Sequence, residues 1–216
     1  MDDGGMGVRE TVLDAALQNQ FGLADTVVDE AVLCSSARRF RERGIVMPTF
    51  AQLADPHGLQ ATVVGGADPQ AADPRNLWRV HWYNDLAGRR VDVPEHVVLP
   101  PELTGIESPV LVVLGNRFPM ISTHKVLAAY GCLAPRVVTG QFDPTHHRAI
   151  WPSTGNYARG GVAISRLMAS RGVAILPTGM SREHWQRFGE FGWLGLGLPE
   201  AHGGFGGVVE LIQIAE

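Results

Sequence analysis

The stretch WPSTGNYARGGVAISRLMASRGVAIL, residues 151–176, decides the fold class. It opens with hydroxyl, glycine and amide residues that favour a turn, continues with helical composition over residues 157–171, and ends in the apolar run GVAILP, residues 172–177. A short apolar run after a helix is typical of a buried strand in a parallel sheet. The stretch therefore predicts a loop, a helix and a strand in succession.

The same alternation extends upstream to residue 108. The runs PVLVVLG (109–115) and RVVTG (136–140) predict buried strands, and residues 122–133 have helical composition. Strands and helices that take turns indicate an α/β layer with mainly parallel strands, whose sites lie at the carboxyl ends of the strands. Lys125 and the segment PSTGNYARGG (152–161) both fall at such turns.

The first 107 residues predict helices and loops of the same domain. Two helices are expected, over residues 8–18 and from Asp25 or Thr26 to Arg43, the second with Leu33, Ala37 and Phe40 on one stripe and Gly44 as its cap. Residues 55–74 read as a loop with one short strand at 61–64. Residues 76–85 (NLWRVHWYND) predict a strand and residues 93–103 a proline-broken extended connection.

Composition and charge narrow the function classes. The net charge is −4 and the isoelectric point is near 6.1, so the chain lacks the basic bias that nucleic-acid binding requires. The acidic, glycine-rich start and the lack of a long apolar run favour a cytoplasmic protein with no membrane partner.

Cys34 and Cys132 lack zinc or disulfide spacing and are expected to be buried thiols. Asp143, His146 and His147 lack metal-ligand spacing, so no metal site is expected and the histidines read as solvated.

Lys125 is the only lysine beside seventeen arginines. Placed in the first turn of a helix capped by Ser122 or Thr123, its amine could form an imine, which a guanidinium cannot do. The alternative is an ordinary surface lysine.

The STGN segment offers hydrogen-bond donors for an anion such as a carboxylate; its residues are Ser153, Thr154, Gly155 and Asn156. The alternative is an ordinary helix cap formed by Asn156 or Thr154. Gly160 and Gly161, inside a helix, indicate close approach by a ligand or a neighbouring helix.

Over residues 108–183 these motifs resemble the tryptophan synthase β / cysteine synthase group, pyridoxal-phosphate enzymes of fold type II. The resemblance rests on a lysine at a strand-to-helix turn, STGN after 31 residues, GVAIS, and GVAILP followed by GMSRE. It implies that Lys125 forms the internal aldimine with pyridoxal 5'-phosphate and shuttles the substrate Cα proton. It further implies that Asn156 bonds the cofactor's ring hydroxyl and that Ser153, Thr154 and Gly155 receive the amino-acid carboxylate.

The chain departs from that family in two places. The family usually follows its lysine with Asp-Arg, whereas here the sequence is HKVL, and the family's glycine-rich phosphate loop is not found after residue 177. HGGFGG (202–207) does not replace that loop, because residues 184–216 resemble the N-terminal helical region of flavin-dependent acyl-CoA dehydrogenases, with their GWLGL, LPE and HGG elements. That piece holds neither the flavin site nor the catalytic carboxylate in the family.

The sequence therefore predicts three segments, 1–107, 108–183 and 184–216, with a helical appendage at the end. The expected function is an amino-acid lyase or synthase that works by β-elimination or β-replacement, in a chain truncated or fused near residues 178–183. The alternative is a non-catalytic fusion remnant, or a fragment of acyl-CoA dehydrogenase type. Its apolar residues would then form an oligomer or aggregation surface, so a homo-oligomer is one expected arrangement; these residues are Trp193, Leu194, Leu196, Leu198 and Phe205.

Overall fold

The computed structural model describes residues 24–56, 63–153 and 155–177, and the backbone of one further strand, Val209–Ile214. The protein combines helices with two small sheets. The helices are α1 (Glu30–Glu42), α2 (Phe50–Ala54), α3 (Pro101–Thr104), α4 (Lys125–Val138) and α5 (Asn156–Leu167). The strands are β1 (His96–Leu99), β2 (Val110–Val113), β3 (Arg148–Pro152), β4 (Arg171–Pro177) and β5 (Val209–Ile214). Short 3₁₀ helices cover Pro74–Arg79 and Gly115–Arg117.

The larger sheet is parallel, with the order β3-β4-β5. In its register Ile150 lies opposite Val173, and Gly172 lies opposite Val209. Helix α5 is the crossover between β3 and β4, as parallel neighbours require. The strand predicted over residues 172–177, the helix predicted over 122–133 and the parallel α/β layer are thus confirmed. The helix predicted over 157–171 is confirmed as far as Leu167, and Arg171 already belongs to β4. The helical ending is wrong over residues 209–214, which form β5; the other residues beyond 177 lie outside the described part.

The smaller sheet is an antiparallel hairpin of β1 and β2, with His96 opposite Val113 and Leu99 opposite Val110. The strand in residues 109–115 is confirmed, but its burial and its place in a parallel sheet are wrong, since Val98 is 54% exposed and Leu111 is 57% exposed. An apolar run shows that a strand is favoured and does not show which sheet accepts it. The connection predicted over residues 93–103 is extended at β1, but it is wrong at residues 101–103, which begin α3.

The strand predicted over residues 136–140 is wrong, because α4 continues to Val138. Its buried residues recur every three or four positions, at Val126, Ala129, Tyr130, Leu133 and Val137. That spacing is a helical period, and it carries the helix through a run whose valines favour strands locally. Tertiary packing therefore overrides β propensity at the end of α4.

Residues 76–85 form no strand either. We call residues 67–90 the polar loop, since buried polar side chains bond to its own backbone. The Asn76 side-chain amide donates to the carbonyls of Asp68 (2.9 Å) and Ala71 (2.8 Å). The Asn84 amide donates to the carbonyls of Arg79 and His81, both at 2.9 Å. These local bonds satisfy carbonyls that a strand would have paired with a neighbour, so the loop replaces the predicted strand.

The N-terminal helix α1 begins later than predicted. Asp29 is its cap and accepts from the backbone N–H of Val32 at 3.0 Å, so the helix starts at Glu30 rather than near residue 25. Phe40 is buried, Leu33 is half-buried and Ala37 is exposed, so the predicted stripe is only partly covered; Gly44 follows the helix at φ +65°. The strand predicted over residues 61–64 is wrong at 63–64, which are helical. The helix predicted over residues 8–18 lies outside the described residues.

The core lies where α4 and α5 pack on the parallel sheet. Its members are almost fully buried apolar side chains, among them Val126, Tyr130, Trp151, Ile164, Leu167 and Leu176. The prediction of two buried thiols is wrong, because Cys34 is exposed on α1 and Cys132 is only half-buried on α4. In the part of the chain that is described, no helix has both the length and the apolar character needed to cross a bilayer.

Candidate functional site

Lys125 is the first residue of α4, which places it in the first helical turn as the sequence predicts. The cap position is held by His124 and has no side-chain bond, so capping by Ser122 or Thr123 is wrong. Ser122 has a left-handed φ of +47°, and Thr123 contributes only its carbonyl, which accepts from Val126 N at 3.3 Å. The strand before Lys125 is β2, which belongs to the hairpin. The expectation that Lys125 follows a strand of the parallel sheet is therefore also wrong.

The amine of Lys125 has no hydrogen-bond or ion-pair partner among the residues that the structure describes, and the side chain is half-buried. A partly buried amine without a carboxylate partner is available for chemistry or for an anionic ligand. The preceding residue is fixed by aromatic stacking, because the rings of His124 and Trp82 lie 5.6 Å apart and nearly parallel. The start of α4 is thus held in place by stacking, while the amine of Lys125 has no partner among the described residues.

The STGN loop connects β3 to α5 at the carboxyl end of β3, as predicted. Ser153 Oγ accepts from the backbone N–H of Gly155 at 3.2 Å, and Ser153 N donates to the carbonyl of Ile175 at 3.3 Å. Gly155 is the helix cap, without a side-chain bond, and a Cβ on it would meet nothing within 4 Å. Capping by Asn156 is therefore wrong, while Thr154 lies outside the described residues. The loop leaves open space beside the start of α5.

Asn156 is the first residue of α5 and is exposed. Its Oδ1 accepts from Arg159 Nη1 at 2.9 Å, which leaves the Nδ2 amide free to donate elsewhere. The same guanidinium donates through Nη2 to the carbonyl of Ile121 at 3.3 Å, just ahead of α4. Arg159 therefore joins the Asn156 loop to the segment before Lys125.

The two helices approach closely at Gly160 and Gly161, as the glycine pair predicts. A Cβ on Gly160 would lie 2.5 Å from the carbonyl oxygen of Lys125, and a Cβ on Gly161 would enter the indole of Trp151. The approaching groups are thus a neighbouring helix and a core tryptophan. Asn156 lies four positions before Gly160, on the same side of α5, so about one helical turn, roughly 5.4 Å, separates Asn156 from the glycine that contacts the Lys125 backbone.

We call the contact of α5 with the start of α4 the junction. Burial shifts the pKa values of two ionisable groups there. It lowers the pKa of Arg159 to about 10, so the guanidinium stays cationic at neutral pH. Burial, and then the thiol of Cys132, raise the pKa of Tyr157 to about 12, and the Tyr157 hydroxyl donates to Cys132 Sγ at 3.2 Å. The cationic guanidinium of Arg159 favours an anionic ligand at the junction.

Sequence reasoning named Lys125, Ser153, Gly155 and Asn156, and missed Arg159 and Tyr157. The signal for Arg159 was its spacing, since residues three apart on a helix are neighbours and arginine is a natural partner for the Asn156 amide oxygen. Nothing in the spacing indicated that Tyr157 meets Cys132, because that contact depends on how α4 and α5 cross. Their packing, and not either segment alone, creates the junction.

The described residues contain no cluster of three or more histidine, cysteine or acidic side chains able to hold a metal ion. His146 Nδ1 lies 2.8 Å from Asp143 Oδ2, with the His146 side chain 77% exposed, as expected for a solvated histidine. The backbone N–H of Asp143 donates to His147 Nδ1 at 3.1 Å. These contacts tie the loop before β3 together.

The chain matches no protein-family model, and no curated protein matches it either. The resemblances to fold-type-II enzymes and to acyl-CoA dehydrogenases therefore remain hypotheses, and the junction must be judged on its own geometry. That geometry consists of a half-buried lysine whose backbone carbonyl lies against Gly160, and of a loop with hydroxyl and amide groups that ends one helical turn before this glycine.

Proposed function

We propose that this protein binds pyridoxal 5'-phosphate at Lys125 and acts on an amino acid by β-elimination or β-replacement, as a member of the fold-type-II group. One observation carries the proposal: Lys125 has no described partner and its backbone lies directly against Gly160, one turn from the Asn156 loop. When bound, pyridoxal phosphate supplies an electron sink for charge that develops at the substrate Cα.

The side chains at the junction suit such a cofactor. Lys125 offers an amine without a competing carboxylate among the described residues, and the space beside Gly155 is open. Asn156 keeps two amide hydrogens to donate, because only its oxygen is engaged by Arg159. No glycine-rich phosphate loop occurs within the described residues after β3, so these side chains support the amine and ring contacts and leave the phosphate contact unassigned.

Each residue then has a defined task. Lys125 Nζ would hold the cofactor covalently and exchange the Cα proton, which needs an amine that can lose its own proton. Asn156 Nδ2 would donate to the ring oxygen and fix the ring's orientation. Ser153 Oγ accepts from Gly155 but can still donate its own hydrogen to a carboxylate, together with Thr154.

The test uses the fact that Lys125 is the only lysine. The protein is mixed with pyridoxal phosphate, scanned for absorbance at about 410–430 nm, reduced with borohydride, digested and analysed by mass spectrometry. We expect the cofactor on the Lys125 peptide and weaker binding in Asn156→Ala. The matched control combines Lys125→Arg with Arg38→Lys, which moves the single lysine to the exposed face of α1.

Two outcomes contradict the proposal. Equal labelling of the relocated lysine would show that any exposed amine reacts, and the absence of a band in the native chain would show that the junction does not bind the cofactor. Either result favours the competing hypothesis, a non-catalytic α/β remnant that keeps Lys125 as an ordinary amine.

A further inference from the structure

A small cavity lies between the polar loop and residues 116–122, the segment that leads into α4. The Met120 N–H donates to the carbonyl of Pro69 at 2.9 Å, which holds this segment against the loop. The cavity has a volume of about 40 Å³. A cavity needs only about 10–15 Å³ to admit a water molecule, and pockets for drug-sized ligands measure roughly 300–1,000 Å³. This cavity therefore suits a small ion. None of its wall residues is acidic, and five of them carry side-chain hydrogen-bond donors: Gln70, Arg79, Asn116, Arg117 and Ser122.

Arg79 brings a buried positive charge to this wall. The residue is only 6% exposed. Its Nε donates to the carbonyl of Gly88 and its Nη1 to the carbonyl of Ala67, both at 2.9 Å. Nη1 also donates to Asn76 Oδ1 at 2.6 Å. All three acceptors are uncharged, so the guanidinium forms no ion pair with any carboxylate of the described residues.

The third nitrogen of this guanidinium, Nη2, is the part that a ligand can reach. It donates to no group of the described residues, and it is not among the unpartnered atoms that the fold encloses completely. Since Arg79 lines the cavity, its exposed fraction lies there. Asp68 and Asp73 attract the charge from beyond ion-pair distance, but burial prevails and lowers the pKa of Arg79. A cation that has lost its hydration in this way favours a nearby anion.

Uncharged donors surround the same space. Ser122 Oγ and the side-chain amide of Gln70 make no hydrogen bond within the described part of the chain. Asn116 Nδ2 is also available, because only its oxygen is engaged, by Arg117 Nη1 at 3.3 Å. Ser122 holds a left-handed φ of +47°, a conformation that is unfavourable for serine and that clusters at binding sites. The wall thus offers hydrogens from several directions.

The second arginine of the wall does not compete for an anion to the same degree. Arg117 Nε donates to a carboxylate oxygen of Glu95, which compensates its charge. We propose that the cavity binds one small monovalent anion of the size of chloride, which accepts from Arg79 Nη2 and Ser122 Oγ. Carboxylates and phosphates gain most from two parallel bonds to an arginine fork, and here Nε and Nη1 of Arg79 are already engaged. A spherical halide needs no fork.

The experiment uses chloride as the probe and the full chain. Urea denaturation is followed at rising sodium chloride, with sodium gluconate, whose anion is too bulky for the cavity, keeping the ionic strength constant. We expect the ratio of folded to unfolded protein to rise nearly in proportion to chloride above its dissociation constant. Bromide should act as chloride does. The ³⁵Cl NMR signal should also broaden in the presence of the folded protein, as chloride exchanges with the site.

Gln70→Glu is the decisive variant, because Arg79→Met would also lose the bonds inside the polar loop. Gln70 is exposed on the cavity wall, and a carboxylate there supplies the counter-charge from within the chain. The variant should be more stable than the native chain in gluconate, and its dependence on chloride should vanish. Ala128→Glu adds the same charge to an exposed position of α4 outside this wall, and it should keep the native dependence.

Three results would overturn the proposal. The first is equal stability of the native chain in chloride and in gluconate. The second is an undiminished chloride dependence in Gln70→Glu. The third is equal ³⁵Cl broadening by the native chain and by Gln70→Glu, which would place the bound ion elsewhere on the surface.

Discussion

Two regions of this protein reach a buried state by different means. The α/β unit, residues 125–177, buries apolar side chains between α4, α5 and the parallel sheet. The polar loop, residues 67–90, buries Asn76, Arg79, His81 and Asn84 instead, at exposures of 6% or less. In the first region packing fixes the backbone, and in the second hydrogen bonds to backbone carbonyls fix it. The contrast shows that a loop without regular strands can be as closed to solvent as a sheet.

The difference predicts different vulnerabilities. Apolar packing tolerates a changed residue if volume is kept, whereas a buried polar network fails when one member is lost, because its partners stay buried and unpaired. Three experiments sharpen or break this comparison.

The largest effect is expected for Arg79→Met in the polar loop. Arg79 donates to the carbonyls of Gly88 and Ala67, both at 2.9 Å, and to Asn76 Oδ1 at 2.6 Å. Methionine keeps much of the volume and removes every donor, so the free energy of unfolding should fall by about 3–5 kcal/mol. Urea denaturation followed by tryptophan fluorescence measures this. The control Arg89→Met removes an arginine whose side chain is 80% exposed, and it should cost less than about 1 kcal/mol. Equal losses would contradict the role of the network.

The next effect is a pH dependence that depends on His81. Burial lowers the pKa of His81 from 6.5 to about 4, so the unfolded chain binds this proton more readily than the folded chain does. The stabilisation from keeping the ring neutral is therefore complete above about pH 6.5 and is lost as the pH falls towards 4. The linkage amounts to about 3 kcal/mol at most.

Unfolding measured between pH 7 and pH 4 should show this loss in the native chain, over and above the slope seen in His81→Asn. His96→Gln, which removes an exposed histidine, serves as the substitution control. An identical pH slope in the native chain and in His81→Asn would mean that the ring is not held neutral by burial.

The smallest expected change in stability comes from replacing two helix glycines in the α/β unit. The two substitutions are expected to have opposite signs. Gly160→Ala should destabilise by about 1–3 kcal/mol, because the new Cβ meets the Lys125 carbonyl and backbone cannot move aside cheaply. Gly131→Ala should stabilise by about 0.5–1 kcal/mol, because Gly131 lies in α4 with nothing near its Cβ position. Urea midpoints of both variants test the pair. Two stabilising substitutions would mean that α4 and α5 are not in contact at this point.

The same two regions mark what could be predicted from the sequence. In residues 125–177 the helical period at Val126 to Val137 and the run of residues 172–177 report burial directly, so most elements follow from pattern. There are two exceptions. The strand predicted over residues 136–140 is wrong because two valines favour a strand locally, and β3 was not predicted. In residues 76–85 apolar and polar residues alternate as in a strand, but the polar ones face inward. A pattern of hydrophobicity cannot show that asparagine and arginine side chains will find carbonyls a few residues away.

For the candidate site, the sequence identified the parts but not their assembly. Lys125, the STGN loop and the glycine pair were visible as residue types with defined chemical uses. The bond from Arg159 to the Ile121 carbonyl joins segments 38 positions apart. No local rule predicts such a contact, since it depends on how two helices cross.

The contact at Gly160 has a practical meaning for proteolysis. A lysine-specific protease has a single bond to cut in this chain, the one after Lys125, and its scissile carbonyl is the group against which Gly160 lies. Cleavage requires that α4 unwind at its first turn and separate from α5. The cleavage rate of the folded protein therefore reports how often that separation occurs. One backbone contact thus makes the only lysine a built-in reporter of local opening, read on a gel as the conversion of one band into two.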